Sequence, residues 1–200
     1  MIDPAELPSF GKWGDTEFEV LLYEFKADLN SYLATRGAAV KSLAECIEFN
    51  RSHAAEEMPY FQQELMEQAQ EKGPLTDKAY KDALSKNHKL TRNEGIDSVL
   101  KKFKLDAIMG PTAGPAWVSD WVNGDRADSG CASPPAVAGY PHITVPAGFK
   151  FGLPLGISFF GTAWSEPKLI RIAYAFEQAR KARRKPEFLP TVNFYAESGS

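Results

Sequence analysis

The sequence predicts an α/β protein with an α+β-like order, in which N-terminal helices are followed by part of a mixed β-sheet flanked by helices. Three observations predict it. Apolar residues recur three and four apart through residues 16–104. Past Leu105 short apolar runs bounded by Gly and Pro replace that pattern. A last amphipathic stretch then closes the order. The expected organisation is one segment over 1–200: a leader or linker at 1–15, a helical part at 16–104, a sheet part with the last helix at 105–191, and a tail at 192–200.

Each element has its own signal. Phe18, Leu21, Leu22, Phe25, Leu29 and Leu33 lie at helical spacing, with Thr16 and Glu19 as a capping box and Gly37 as a stop. Ser42 and Glu45 repeat that signature ahead of Leu43, Cys46 and Ile47. A third helix is expected over 60–71, between Pro59 and Gly73-Pro74. Thr76 is expected to cap a long fourth helix running to about Phe103, with Tyr80, Ala83, Leu84 and Leu90 on one stripe. That stripe loses phase at Asn93 to Gly95 and resumes at Ile96, Val99, Leu100 and Phe103. Residues 106–109 read as a buried strand stopped by Gly110-Pro111. A long Gly/Pro/Ser-rich loop, with Trp117 and Trp121, fills 111–139. Residues 142–145 and 155–160 read as strands joined across 147–154. Ser165 is expected to cap a last helix to about Lys181, with Leu169, Ile170, Ala173 and Phe176 inward. Three strands leave edges and a face that need cover, so the sheet is expected to be part of a larger one.

Composition removes several classes of function. A chain with 44% hydrophobic and 24% charged residues is globular, not disordered. The net charge of -3 gives no electrostatic case for nucleic acid. Two Cys exclude a disulfide scaffold and a four-Cys zinc site, and fit a reducing, cytoplasmic setting. The apolar runs fall short of the ~20 residues of a membrane span. No basic-then-apolar start marks a signal peptide. The expected partners therefore include neither nucleic acid nor membrane.

No complete local motif for catalysis is present: no Gly-x-Ser-x-Gly elbow, no phosphate loop and no dinucleotide fingerprint. No cofactor is expected. His53, Glu56 and Glu57 share helical spacing, but no further ligands accompany them, so a solvated helix end is expected in place of a metal site. Cys131, in a loop of small residues, would need a base such as His142 to act as a nucleophile; the other reading is a small packed residue. Cys46 continues an apolar stripe and reads as core. Ser85 and Lys86 are adjacent on a helix and point apart, so they form no catalytic pair. The segment from Pro111 to Trp117 is the best site candidate. It follows a strand end, where α/β sheets place ligands, its small residues permit close backbone approach, and Trp117 offers an apolar wall. Packing for structural reasons is the competing reading.

Several segments resemble the amidase signature family. They are Ala138-Gly-Tyr-Pro-His-Ile-Thr-Val-Pro-Ala-Gly148, Gly152-Leu-Pro-Leu-Gly-Ile-Ser-Phe-Phe-Gly161 and Ser165-Glu-Pro-Lys-Leu169. Glu57 to Phe61, Gly95-Ile-Asp97, Leu105 to Thr112 and Asn123-Gly-Asp125 agree with them. The likeness runs from about Phe18 to Thr191 and is nearest to bacterial peptide-amidase-like amidases. It implies the C-terminal portion of that family's fold, a large mixed sheet with helices on both faces. It also implies hydrolysis of carboxamide C–N bonds by a Ser nucleophile, a second Ser held by a cis peptide, and a Lys base. These belong to a Gly/Ser-rich signature, and no Gly-Gly-Ser-Ser run occurs here. The resemblance thus implies a pocket-forming part with no catalytic residue of its own, inactive alone. Its lining would come from the 112–117 and 129–134 loops, with Thr112, Gly114, Pro115, Trp117, Cys131 and Ser133 binding substrate. Its partners would be an N-terminal amidase half or another copy of itself, and a small amide substrate. A non-catalytic binding or interaction module descended from an amidase is the alternative, and a Cys131 hydrolase a third.

Overall fold

The structure, a computed structural model, describes residues 1–37, 39–120, 122–124, 130–186 and 188. These fall into two compact units, one of residues 11–87 and one of residues 1–10 with 88 onward. The expected tail and Trp121 lie outside the described residues.

Residues 11–87 are helical: α1 (Gly14–Ala34), α2 (Leu43–Ser52), α3 (Ala54–Glu57), α4 (Glu64–Gln70) and α5 (Lys78–His88). α1 opens two residues before Thr16. The Thr16 hydroxyl donates to the Trp13 carbonyl at 3.0 Å, and Glu19 pairs with Lys72 at 2.8 Å, so the expected capping box does not form. Its inward face is also rotated from the expected stripe. Val20 and Tyr23 pack with Tyr80 and Ala83, and Leu22 packs with Leu43, Ile47 and Ala69. Phe18, Leu21 and Phe25 face outward and are exposed. α2 follows its signature. The Glu45 N–H donates to Ser42 Oγ at 3.2 Å, while Glu45 Oε2 accepts from the Lys41 N–H at 2.7 Å. α4 is shorter than expected and starts at Glu64. The buried Gln63 side chain donates to the Ile47 carbonyl at 3.2 Å and accepts from Asn50 at 3.1 Å, which fixes the chain just before the helix. Tyr60 and Phe61 are exposed instead.

In the second unit, residues Lys89–Ile96 are π-helical and break at Gly95, where φ is -111° and ψ -109°. The phase loss at Asn93 to Gly95 is this break. Ser9 donates to the Leu90 carbonyl at 2.6 Å, and a Cβ at Gly95 would sit 2.7 Å from that same oxygen. The kink thus requires glycine and takes a first-segment hydroxyl into its opened ladder. α6 (Asp97–Phe103) follows, with Ile96 and Val99 buried.

β1 (Ile108–Pro111) comes next, two residues later than the expected strand. Gly110 and Pro111 extend it, opposite Ser158 and Ile157. The Thr112 N–H donates to the Gly156 carbonyl at 3.0 Å. By antiparallel alternation Pro111 therefore presents its missing donor away from β3, where no ladder bond is lost. α7 (Ser133–Ala138) lies inside the stretch read as loop. Its two prolines occupy the first turn, where no intrahelical N–H is needed, and Gly139 ends it at φ +65°. β2 (His142–Lys150) and β3 (Leu153–Phe160) pair through a turn of Phe151 and Gly152, at φ +52° and +78°. The strands run longer than expected and the connection is correspondingly tighter. A bulge lies between Pro146 and Gly148.

The sheet is antiparallel, in the order β1-β3-β2. α8 (Glu166–Arg180) covers one face, with Leu169, Ala173 and Phe176 against Phe159, Ile157, Val145 and Ile143. Ile170, expected inward, is exposed because Leu169, Ile172, Ala173 and Phe176 already complete the inner stripe. Ser165 donates to the Thr162 carbonyl at 2.7 Å and makes no side-chain cap. Ile96, Val99 and Ala138 cover the other face at Ile108 and Phe160. The sheet is thus small, with helices on both sides, as the sequence predicts.

Candidate functional site

Two features adjoin the end of β1. The first is a mainly apolar cavity of about 920 Å³ beside the strand, lined by residues 104–111 and by the N-terminal residues 1–3 and 5, together with Leu155, Ile157, Phe159 and Ile172 among others. Of the expected substrate loop, only Pro111 and Ala113 reach it. Thr112, Gly114, Pro115, Trp117, Cys131 and Ser133 do not line it.

The second is polar and sits on the sheet face opposite α8. Thr112 Oγ1 lies 2.6 Å from Thr144 Oγ1 and 2.8 Å from Ser158 Oγ, joining β1's end to β2 and β3. Ser158 is fully buried. Between these hydroxyls lies Gly156, whose added Cβ would meet Thr112 Oγ1 at 2.7 Å and Thr144 Oγ1 at 2.9 Å. Residues 130 and 131 pack on the same strand end. The Cys131 N–H donates to the Pro111 carbonyl at 3.2 Å, and a Cβ at Gly110 would touch Cys131 Cβ at 3.2 Å. A Cβ at Gly130 would land on the Thr112 carbonyl.

The structure therefore brings Thr112 and Cys131 together, with Ser133 two residues on at the start of α7. Gly114 and Pro115 lie half-buried along the segment leaving β1, and Trp117 is 47% exposed. Ser129 lies outside the described residues. Cys131 packs beside the apolar cluster of Ile96, Val99, Ile108 and Phe160, which fits the packed reading. His142 meets the edge of Phe160 with ring centroids 6.2 Å apart, and burial lowers its pKa. Thr144, Ser158 and Gly156 are new to the site. Their signal was available in the alternation of the strands: each sits on the face opposite Ile143, Val145, Ile157 and Phe159.

The remaining sequence candidates resolve simply. His53 Nδ1 lies 2.9 Å from the Phe49 carbonyl, and the ring stacks on Phe49 at 4.2 Å. Glu56 and Glu57 are exposed beside it. Among the described residues no group of three His, Cys, Asp or Glu side chains is placed to hold a metal ion.

The amidase family model matches residues 1–170. The chain belongs to the amidase family. A probable amidase of Arabidopsis thaliana is 41% identical over 172 residues, covering 84% of this chain and 30% of the relative. The crystal structure of native peptide amidase from Stenotrophomonas maltophilia is 48% identical and superposes with a TM-score of 0.83, over 92% of this chain and 37% of that one. An amidase family protein from Bacillus anthracis is 29% identical, with a TM-score of 0.67 over 86% of this chain and 30% of that one. The fold is thus the amidase fold, and the chain spans about a third of the length of these amidases.

Proposed function

We propose that this chain is the C-terminal, pocket-forming part of an amidase that hydrolyses carboxamide C–N bonds, with its Ser, cis-Ser and Lys catalytic residues outside these 200 residues. The observation that carries this reading is the 48% identity to a peptide amidase across 92% of this chain but only 37% of the enzyme. The chemistry agrees. Amide hydrolysis needs an activated nucleophile, a base within hydrogen-bond reach and donors aimed at the developing oxyanion. The sequence has no Gly-Gly-Ser-Ser run to supply them.

What these residues contribute is shape. The segment leaving β1 through Thr112, Gly114, Pro115 and Trp117, and the neighbouring Cys131 and Ser133, form a wall against which a small amide is oriented. The rest of the enzyme docks beside β1. Alternation from the Thr112–Gly156 bond turns the Met109 N–H and C=O away from β3, towards the open edge. The apolar cavity lies along that edge, and Met109 is half-exposed. Such an edge takes an added strand. The expected setting is cytoplasmic; among the described residues no helix is long and apolar enough to cross a membrane.

The experiment is an assay of simple carboxamides with the purified chain, alone and with an N-terminal amidase half. Turnover only in the mixture supports the proposal. Turnover by the chain alone overturns it, and loss of that turnover in Cys131→Ala would then assign it to the thiol. Tight binding of an unrelated protein with no gain of activity in the mixture favours the non-catalytic module.

A further inference from the structure

The three hydroxyls at the end of β1 form a chain whose direction can be assigned. Each owns one proton. Thr144 Oγ1 donates its own to the Ile157 carbonyl at 3.3 Å, and a carbonyl only accepts. Thr112 therefore donates to Thr144 across 2.6 Å, and buried Ser158 donates to Thr112 across 2.8 Å. The order Ser158 to Thr112 to Thr144 to the Ile157 carbonyl uses every proton. Valine has the shape of threonine, so simple filling of this space would not call for hydroxyls. A fully satisfied polar chain does something packing does not: it selects one arrangement of the strands it links.

We infer that Thr112, Thr144 and Ser158 are positioning residues, which fix where the two pocket segments, 113–117 and 130–133, leave the sheet. The inference rests on the reading of those segments as substrate lining. The geometry converges on Thr112. Its N–H is held by the Gly156 carbonyl and its hydroxyl by Ser158 and Thr144, and Gly130 passes close against its carbonyl. The first segment continues from it directly. The second is bound to the preceding residue through the Cys131 N–H. Gly156 and Gly130 are the residues that let these approaches occur.

Cys131 is the natural reporter, and Cys46, in the other unit, the internal reference; both are free and half-buried. The test follows modification of each cysteine by a thiol reagent, read by mass spectrometry in the 200-residue chain. Thr112→Val strands the Ser158 hydroxyl, and the Cys131 rate is expected to rise about tenfold, with Cys46 unchanged. Thr112→Ser restores the hydroxyl and is expected to return the rate to near the wild-type value. Thr144→Val, at the exposed end, reads the same effect if Thr112→Val fails to fold. An unchanged Cys131 rate, an equal rise at both cysteines, or Thr112→Ser behaving like Thr112→Val would each overturn the inference. A second readout separates it from the pocket reading. In the enzyme assembled with an N-terminal half, Thr144→Val, which touches the hydroxyl chain but not the proposed lining, is expected to raise KM several-fold with kcat little changed. A faster Cys131 with an unchanged KM would leave a structural clasp but overturn the pocket reading, and the positioning role with it.

Discussion

At the scale of single residues, the chain's sensitivities concentrate where groups leave water or approach closely. Partial desolvation at the start of β2, where the ring remains exposed, holds His142 below its ordinary pKa, so the folded state favours neutral imidazole. The unfolded chain then binds the proton more readily. The associated stability is present above the ordinary His value of about 6.5 and is lost as pH falls through the depressed one. Denaturant midpoints are expected to fall between neutral pH and about pH 5, and His142→Phe to flatten that slope. An identical slope in the variant would remove His142 as its source. Gly156→Ala drives a methyl to 2.7 Å from Thr112 Oγ1 and is expected to cost about 1–3 kcal/mol, measured by denaturant unfolding. Neither Gly156 nor the hydroxyls were singled out by the sequence, because Thr, Ser and Gly on a strand carry no chemical signature by themselves. Only the register makes them neighbours.

At the scale of elements, legibility follows the strength of local signals. Ser42 and Glu45 cap α2 because both partners are local. Thr16 and Glu19 carry the same pattern and fail, because Glu19 finds Lys72, fifty-three residues away. α7 is hidden by Pro134-Pro135, which read as loop yet open a helix. The π-helical break is visible as a lost phase, while its cause, Ser9 at the Leu90 carbonyl, lies eighty-one residues away. Two predictions belong to this scale. Leu169, 1% exposed, is the anchor of α8, and Leu169→Ala is expected to cost about 2–5 kcal/mol in unfolding measurements. Tyr80 on α5 donates to Glu24 on α1 at 2.8 Å, and burial, then that bond, push its phenol up to about 12. A raised phenol pKa gives stability that is full below pH 10 and lost as pH rises towards 12. Alkaline unfolding is expected to start in that window, and Tyr80→Phe to lessen its pH dependence.

At the scale of the whole molecule, the order of helices before strands and the small strand number are readable from hydrophobic period and punctuation. The family is readable from the strand-turn-strand run of 138–161. What period cannot give is which residues of different strands become neighbours and which edge stays open, since both depend on pairing between distant segments. Pairing leaves β1 at an edge, with Met109 turned outward beside an apolar cavity. It also gathers Thr112, Thr144 and Ser158 into one chain of hydroxyls at the end of β1. Amide turnover by the purified chain, with and without an N-terminal amidase half, tests this reading most directly. The expected result is turnover only in the mixture; turnover by the 200-residue chain alone, whether or not it survives Cys131→Ala, would contradict it.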